Sequence, residues 1–402
     1  MKKHFIPLLL AIILCAGCLV FSTAQGSSLR RGTVTISRDE YERLQQYAKL
    51  DEVMQYIEAY YYKEPDKDAM LDYAIQGMLA ALDDAYTFYY DEENWSALWE
   101  DEEGEYTGIG IMLLGSYTDY SVTITRVFRD TPAQAAGLRK GDLLVRVEDI
   151  EVNVETMQAA VNVMRGEVGG TVEIEVYRGG EYLTFNITRA PIHTNYVDYA
   201  MLDNNVGYVI LYQFTTEALS TDFINAVETL EAQGATSLIL DLRDNPGGWV
   251  NDAVLVCDRF LDHKMVFFSK ARFTKDTDPQ YTKAGADDIP LVVLVNGSSA
   301  SSSEIVSGAL QDHGRAVIVG TQTFGKGVMQ QVVGLGDDTT GMQFTYCEYF
   351  RPSGETVHGV GITPDIIVEM PEDIQYSSFE VGDMSDPQLS AAWEEAVKLA
   401  AQ

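Results

Sequence analysis

The chain has 402 residues, 46% of them hydrophobic and 22% charged, enough apolar material for a sizeable core divided over two or three domains. Its 61 Asp and Glu outnumber 28 Lys and Arg, for a net charge of −33. Such a surface repels phosphate backbones and anionic headgroups, which excludes nucleic acid as a partner.

At the N-terminus Lys2 and Lys3 precede an apolar run from Phe5 to Phe21. This is the layout of an export signal or a single membrane anchor, and it assigns residues 1–25 to targeting. Three outcomes stay open: cleavage after Ser22-Thr23-Ala24, retention as an anchor, or lipid attachment at Cys18, because Cys15-Ala16-Gly17-Cys18 is similar to a bacterial lipobox. Each of them places the protein outside the cytoplasm, either secreted or held at the cell membrane. Cys257 and Cys347 remain for the folded body, in no metal-ligand spacing, and read as small buried hydrophobes. No metal and no cofactor is expected.

Residues 26–37 read as a tether, and residues 38–106 as an N-terminal helical domain. Leu44, Tyr47, Met54, Ile57 and Tyr61 recur at helical spacing, and after Pro65 so do Leu71, Ala74, Ile75, Met78 and Leu82. An acidic stretch with Trp95 and Trp99 leads out of it. From residue 107 to 190 the texture changes to short β-branched runs punctuated by glycine. Ile109 to Leu114, Ser121 to Val127, Leu143 to Val147 and Thr171 to Tyr177 read as strands, with a helix over Val154 to Met164.

Residues 191–370 alternate strand and helix: strands at Val206 to Tyr212, Ser237 to Leu242, Leu291 to Val295 and Ala316 to Gly320, helices at 216–232, 250–260 and 301–311. This predicts an α/β core with a mostly parallel sheet, and a mixed α/β multidomain protein as a whole. Residues 371–402 read as an acidic helical tail, either a dimer contact or a cap.

The chemistry should lie where strands end and helices begin. After the strand ending at Leu242 come Arg243-Asp244-Asn245-Pro246-Gly247-Gly248, in which two glycines let backbone N–H groups approach a ligand, as an oxyanion hole requires. The same residues would also make an ordinary start to a helix. After Val295 come five serines within 298–303, followed by Glu304. A hydroxyl there sits at the positive end of a helix dipole, although one serine could equally be an N-cap, with Glu304 completing a capping box. After Gly320, the run Gly320 to Lys326 has the spacing of a phosphate-binding loop. Gly327 stands where that loop needs Ser or Thr, however, and a strand rather than a helix follows. Nucleotide binding is therefore rejected. A lysine held between glycines suits a Ser-Lys pair instead.

These residues resemble the active-site signature of the C-terminal processing (tail-specific) peptidases, serine peptidases of family S41. The resemblance rests on Ser299-Ala300-Ser301-Ser302-Ser303-Glu304 followed by Phe324-Gly325-Lys326-Gly327. It extends to Asp241-Leu242-Arg243 with Asn245-Pro246-Gly247-Gly248, to Ala309 through Arg315, and to Pro352-Ser353-Gly354 leading to Gly361 through Asp365. It implies that Ser301 is the nucleophile, Lys326 the general base and Gln330 the side chain that orients the lysine. The backbone N–H groups of Gly247 and Ser302 would form the oxyanion hole. Ser302 stands where relatives commonly have Ala. A lysine acts as base near neutral pH only if burial or positive potential lowers its pKa from ~10.4. A Ser-His-Asp arrangement through His313 and Asp312 is awkward, because adjacent helical residues point in different directions.

Residues 107–190 resemble a PDZ domain, with Gly108-Ile109-Gly110-Ile111 as the loop that holds a chain-terminal carboxylate. The chain end would add as a strand beside Ile111 to Leu114, facing Met157, Val161 and Met164. Those residues favour protein or peptide substrates with apolar C-terminal tails. The resemblance also implies that tail binding moves this module and completes the catalytic site, and that the protein is a homodimer joined by its terminal helices. The competing readings are a non-catalytic PDZ scaffold on a protease fold and a hydrolase of small esters or amides. The joint presence of Ser301, Lys326 and Gln330 weighs against the first, and a module for polypeptide tails against the second.

Overall fold

The computed structural model describes residues 35–102, 105–116, 120–193, 196–215, 217–336, 339–371 and 379–402. Residues 1–25, read above as a targeting segment, and with them Cys18, lie outside these, as does most of the stretch read as a tether. The chain separates into two compact units, residues 1–74 and 75–402.

In the first unit the helical spacing from Leu44 to Tyr61 resolves into two helices, α1 (Arg38–Gln45) and α2 (Ala48–Tyr60), with a third, α3 (Lys67–Ala80), beginning after Pro65. Ser37 caps α1 by accepting from the Glu40 N–H, while Glu40 accepts from the Ser37 N–H, a reciprocal capping box. No residue of α1 or α2 is buried, and Leu44, Tyr47, Leu50 and Val53 lie exposed.

The second unit continues with β1 (Phe88–Tyr90), α4 (Glu92–Glu102) and β2 (Glu105–Gly108). The PDZ-like module then contributes β3 (Ile111–Gly115), β4 (Val122–Val127), α5 (Pro132–Ala136), β5 (Leu143–Val147), β6 (Ile150–Glu151), α6 (Met157–Met164), β7 (Thr171–Arg178) and β8 (Glu181–Thr188). The chain leaves it through β9 (Ala190–His193), which pairs antiparallel with β2, so entry and exit strands are tied together. The core follows as β10 (Val197–Leu202), β11 (Val206–Leu211), α7 (Glu217–Ala232), β12 (Ser237–Asp241), α8 (Val250–Asp258), β13 (Met265–Ala271), β14 (Asp278–Tyr281) and β15 (Leu291–Val295). It ends with α9 (Ser302–Asp312), β16 (Ala316–Gly320), β17 (Val328–Leu335), β18 (Thr340–Phe350), β19 (Ile366–Ile367) and α10 (Pro387–Ala400).

The central sheet has the order β10-β11-β12-β15-β16-β19, parallel throughout except for β10 at its edge. Both faces are covered. Val209, Leu211, Leu291 and Val293 point to the side of α7, α8 and α9, while Tyr208, Ile210, Val292 and Leu294 point to the other side with Leu389, Ala392 and Ala396 of α10. Burial on both faces is why these strands read as unbroken apolar runs. The helix in the 371–402 segment is therefore a layer of the core. A second sheet, β1-β18-β13-β14 with β17 on β18, is antiparallel. Only part of β17 was expected from sequence. Gly341 on β18 leaves the room that the buried Trp95 ring of α4 occupies; a Cβ there would lie deep inside the indole.

In the PDZ-like module the sheet runs β3-β4-β5-β7-β8, with β6 on β5, so that two strands, β6 and β8, join the four named from sequence. The first strand starts at Ile111 rather than Ile109, because Gly110 has φ of 88° and breaks the extended run. Helix α6 starts at Met157 rather than Val154, since Asn153 Oδ1 turns back to accept the N–H groups of Glu155 and Thr156. Arg126 of β4 reaches the core: its guanidinium stacks 3.7 Å from the Tyr212 ring centroid and donates to Asp198 Oδ2 at 3.0 Å.

Candidate active site

Strand β15 ends at Val295, and the chain turns through Asn296 to Ala300 before α9. Asn296 Oδ1 and Ser299 Oγ fold this turn onto the loop after β12, Ser299 donating to the Leu242 carbonyl at 2.7 Å and Asn296 accepting the Asp244 N–H at 3.0 Å. Ser301 then takes φ 54° and ψ −113°, a conformation that costs a side-chain-bearing residue about 1–3 kcal/mol. A strained residue at a strand-to-helix turn lifts its hydroxyl out of the helix start, as a nucleophile needs.

The partner loops are held by one carboxylate. Glu304, fully buried in the first turn of α9, accepts at Oε2 from the N–H groups of Ser301 (2.9 Å) and Lys326 (2.9 Å). At Oε1 it accepts from the Gly325 N–H (2.7 Å) and the Thr323 hydroxyl (2.6 Å). Burial pushes its carboxyl up from the usual range, against the pull of these four donors. A second clamp is Tyr349 of β18, whose hydroxyl lies 3.2 Å from the Ser301 carbonyl and 2.9 Å from the Lys326 carbonyl. Serine and lysine, 25 positions apart in sequence, are thus fixed to the same two side chains.

Ser301 and Lys326 line one cleft of about 870 Å³. Burial lowers the proton affinity of Lys326, opposed by the carboxylates of Asp84 and Glu304. Its ammonium lies 4.6 Å from the centroid of the Tyr86 ring. Gln330, expected to orient the lysine, lines the same cleft, but its amide donates to Thr345 Oγ1 at 3.2 Å. In this conformation the group set against the lysine is the Tyr86 ring, which sequence reading did not single out.

The proposed oxyanion donors are also placed. Gly247 has φ of 97° and lies against Ser301, where a Cβ would come within 2.7 Å of Ser301 Cβ and 2.9 Å of the Ser302 nitrogen. Its N–H, however, donates to Asn245 Oδ1 at 2.9 Å, so in this conformation that donor is turned into its own loop. The Ser302 side chain is buried and donates to the Gly248 carbonyl at 2.9 Å, tying the two-glycine loop to the start of α9. Asn245 completes the tie, accepting from Ala300 N–H (3.0 Å) and Ser303 Oγ (2.9 Å) at its carbonyl. His313 sits at the far end of α9, twelve residues and roughly 18 Å from Ser301 at 1.5 Å per residue, and binds the Met265 carbonyl. Asp312 pairs with Arg351. No triad forms there.

The same cleft extends between the core and the PDZ-like module, where it is lined by Gly108, Ile109, Gly110, Ile111, Met157 and Val161. Strand β3 pairs only with β4, so its other edge is open to an added strand. Gly110 is required at its position: any Cβ would come within 2.5 Å of Thr131. Among the described residues there is no group of three or more His, Cys, Asp or Glu able to hold a metal ion, and no helix long and apolar enough to cross a membrane.

Comparison with known proteins agrees with this geometry. Residues 205–368 match the model of peptidase family S41, residues 106–188 that of a PDZ domain, and residues 14–94 the N-terminal domain described for the activating protease CtpB. The chain is 34% identical over 353 residues to a carboxy-terminal-processing protease of Bartonella bacilliformis, covering 86% of this chain and 80% of that one. It is 30% identical over 380 residues to the carboxy-terminal processing protease CtpA of Bacillus subtilis, covering 92% and 78%. Among solved structures, the photosystem II D1 C-terminal processing protease superimposes with a TM-score of 0.56 at 27% identity, over 88% of this chain and 100% of that one. The chain therefore belongs to the S41 family of carboxy-terminal processing peptidases, serine-type proteases, and carries their PDZ domain.

Proposed function

We propose that this peptidase captures protein C-terminal tails in its PDZ domain and cuts the captured chain with Ser301 as nucleophile and Lys326 as general base. The observation that carries the reading is the shared clamp: Glu304 and Tyr349 hold the nucleophile loop and the lysine loop together on one cleft that continues to the Gly108 to Ile111 loop. Lys326 takes the Ser301 proton as the hydroxyl attacks the scissile carbonyl and delivers it to the leaving amine, after which water hydrolyses the acyl-enzyme. The N–H groups of Gly247 and Ser302 receive the oxyanion once Gly247 exchanges Asn245 Oδ1 for substrate. Gln330 orients the lysine once its amide leaves Thr345.

Apolar Met157 and Val161 beside the open edge of β3 suit an apolar tail whose carboxylate meets the backbone N–H groups at Gly108 to Ile111. The test is cleavage of an unfolded protein ending in an apolar tail. The intact enzyme should cut it, and should cut the same protein with a charged tail about 10-fold or more slower. Ser301→Ala and Lys326→Ala should fold and be silent. Undiminished cutting by Lys326→Ala would remove the dyad.

The N-terminal run behind Lys2 and Lys3 supports export, with the protein held at the membrane by Cys18 lipid or by the run itself, and the exposed apolar helices support a homodimer. Cell fractionation should place the protein in the membrane or outside the cell. A cytosolic location, or sedimentation of the purified protein as a monomer, would discard the corresponding part.

A further inference from the structure

We propose that Asp84 and Tyr86 are positioning residues for the lysine base: the turn ahead of β1, braced by Asp84, lays the Tyr86 ring against Lys326 and sets the pH above which it can accept a proton. This rests on the reading of Lys326 as the base.

The turn is built and bolted in place. Asp84 Oδ1 accepts the Tyr86 N–H at 2.9 Å, and Oδ2 accepts the Thr87 hydroxyl at 2.8 Å. Thr87 Oγ1 accepts the Thr345 N–H at 3.1 Å, and Gln343 Nε2 donates to the Tyr86 carbonyl at 3.1 Å, so β18 holds the turn from beneath. Thr345, bonded through its N–H to Thr87, also accepts from Gln330 at its hydroxyl at 3.2 Å, which links the turn to Gln330 as well. What this scaffold presents is the Tyr86 ring, 4.6 Å from the Lys326 ammonium.

An aromatic face attracts an ammonium and not a neutral amine, so the ring favours the charged lysine. Asp84 acts in the same direction. Burial works to raise its own pKa, but hydrogen bonds from Thr345, Tyr86 and Thr87, and the charge of His358, leave it below the ordinary carboxylate range and ionised while the enzyme works. The other groups around the lysine are Glu304, an anion committed to four donors; Tyr349, a phenol kept neutral by burial; and His358, whose backbone crowds Gly327. Of the two anions, only Asp84 lies outside the clamp that shapes the catalytic loops. Opposed to both is burial, which drives the lysine toward the neutral form. Removing the Asp84 charge or the Tyr86 face leaves burial less opposed. The lysine then gives up its proton at lower pH.

The experiment is the pH profile of kcat/KM for full-length enzyme acting on an unfolded protein with an apolar tail, comparing Asp84→Asn, Tyr86→Leu, Tyr86→Phe and Lys326→Ala. The acid limb should move to lower pH by about half a unit or more in Asp84→Asn and Tyr86→Leu, and stay in place in Tyr86→Phe, which keeps the ring. A merely structural role would lower activity without moving the limb. Because the Asp84 side chain also holds its turn, the Tyr86 pair decides the matter if Asp84→Asn fails to fold. Acid limbs of Asp84→Asn and Tyr86→Leu that coincide with the parent, or move upward, overturn the proposal while a silent Lys326→Ala leaves the dyad intact. An active Lys326→Ala overturns both.

Discussion

Replacing Glu304 with Ala is expected to lower cleavage by about 100-fold or more and to destabilise the enzyme by about 3–5 kcal/mol. The carboxylate is fully buried and is the acceptor for the Ser301, Gly325 and Lys326 N–H groups and the Thr323 hydroxyl. Its removal leaves four donors without an acceptor, the buried Thr323 and Gly325 groups at about 1–3 kcal/mol each before relaxation and the half-buried Ser301 and Lys326 N–H groups at less. The strained Ser301 backbone then has less to hold it at φ 54°, and the lysine loop is free to drift from Ser301. Glu304→Gln should fall between, because an amide nitrogen would face two N–H donors. Steady-state kcat/KM with urea midpoints makes the measurement. Full activity in Glu304→Ala would show that Tyr349 alone suffices as the clamp.

Arg243→Met is expected to cost about 3–5 kcal/mol, measured as a drop in the urea or thermal midpoint, because it strands two buried carboxylates. Arg243 is fully buried, with Nη2 at 2.6 Å from Asp241 Oδ2 and Nη1 at 2.7 Å from Asp386 Oδ2. Asp241 also accepts from the Tyr208 hydroxyl at 2.6 Å, and Gln388 Oε1 accepts from Arg243 at 3.0 Å. Asp386 is in turn the N-cap of α10, accepting from the Gln388 and Leu389 N–H groups. A single guanidinium therefore joins β12, the loop that leads to Gly247, and the start of the last helix. Asp386→Ala should cost less, about 1–3 kcal/mol, since Arg243 retains Asp241. Equal stability of Arg243→Met and the parent would mean that the carboxylates find other partners.

How much of this is legible from residues alone depends on how local the cause is. The parallel sheet from Val206 to Gly320 can be read because strands covered on both faces are apolar throughout and are separated by helices of ordinary length. The antiparallel sheet is much less so. In β18 apolar residues stand on both faces, Phe350 on one and Cys347 and Tyr349 on the other, and its partners β1 and β13 are far away in sequence, so Thr340 to Phe350 carries no strong period. Helix α4 hides in an acidic run, its one anchor being Trp95 over a glycine 246 positions later.

The site divides in the same way. Ser301, Lys326 and the Gly247-Gly248 turn are announced by unusual local sequence. Ser-x-x-Glu also points to Glu304 as a cap for Ser301, though not to its hold on the lysine loop. Tyr349, Asp84 and Tyr86 have no local signal at all. Their roles come from register: Phe88 pairs with Gln343, which places the preceding turn beside Thr345 and so beside the lysine. The turn of Gly247 toward Asn245 is likewise a matter of conformation, which composition cannot disclose.

The pairing of β1 with β18 and the packing of α10 on the sheet set the order in which this protease comes into being. Residues 84–90 wait for residues 340–350 before the lysine has its surroundings, and the second face of the sheet stays bare until α10 arrives, from Pro387 to Ala400. Contacts so distant along the chain form only after both partners have been synthesised. A nascent chain that has passed Lys326 but not yet released α10 thus carries Ser301 and Lys326 on a sheet with one face uncovered.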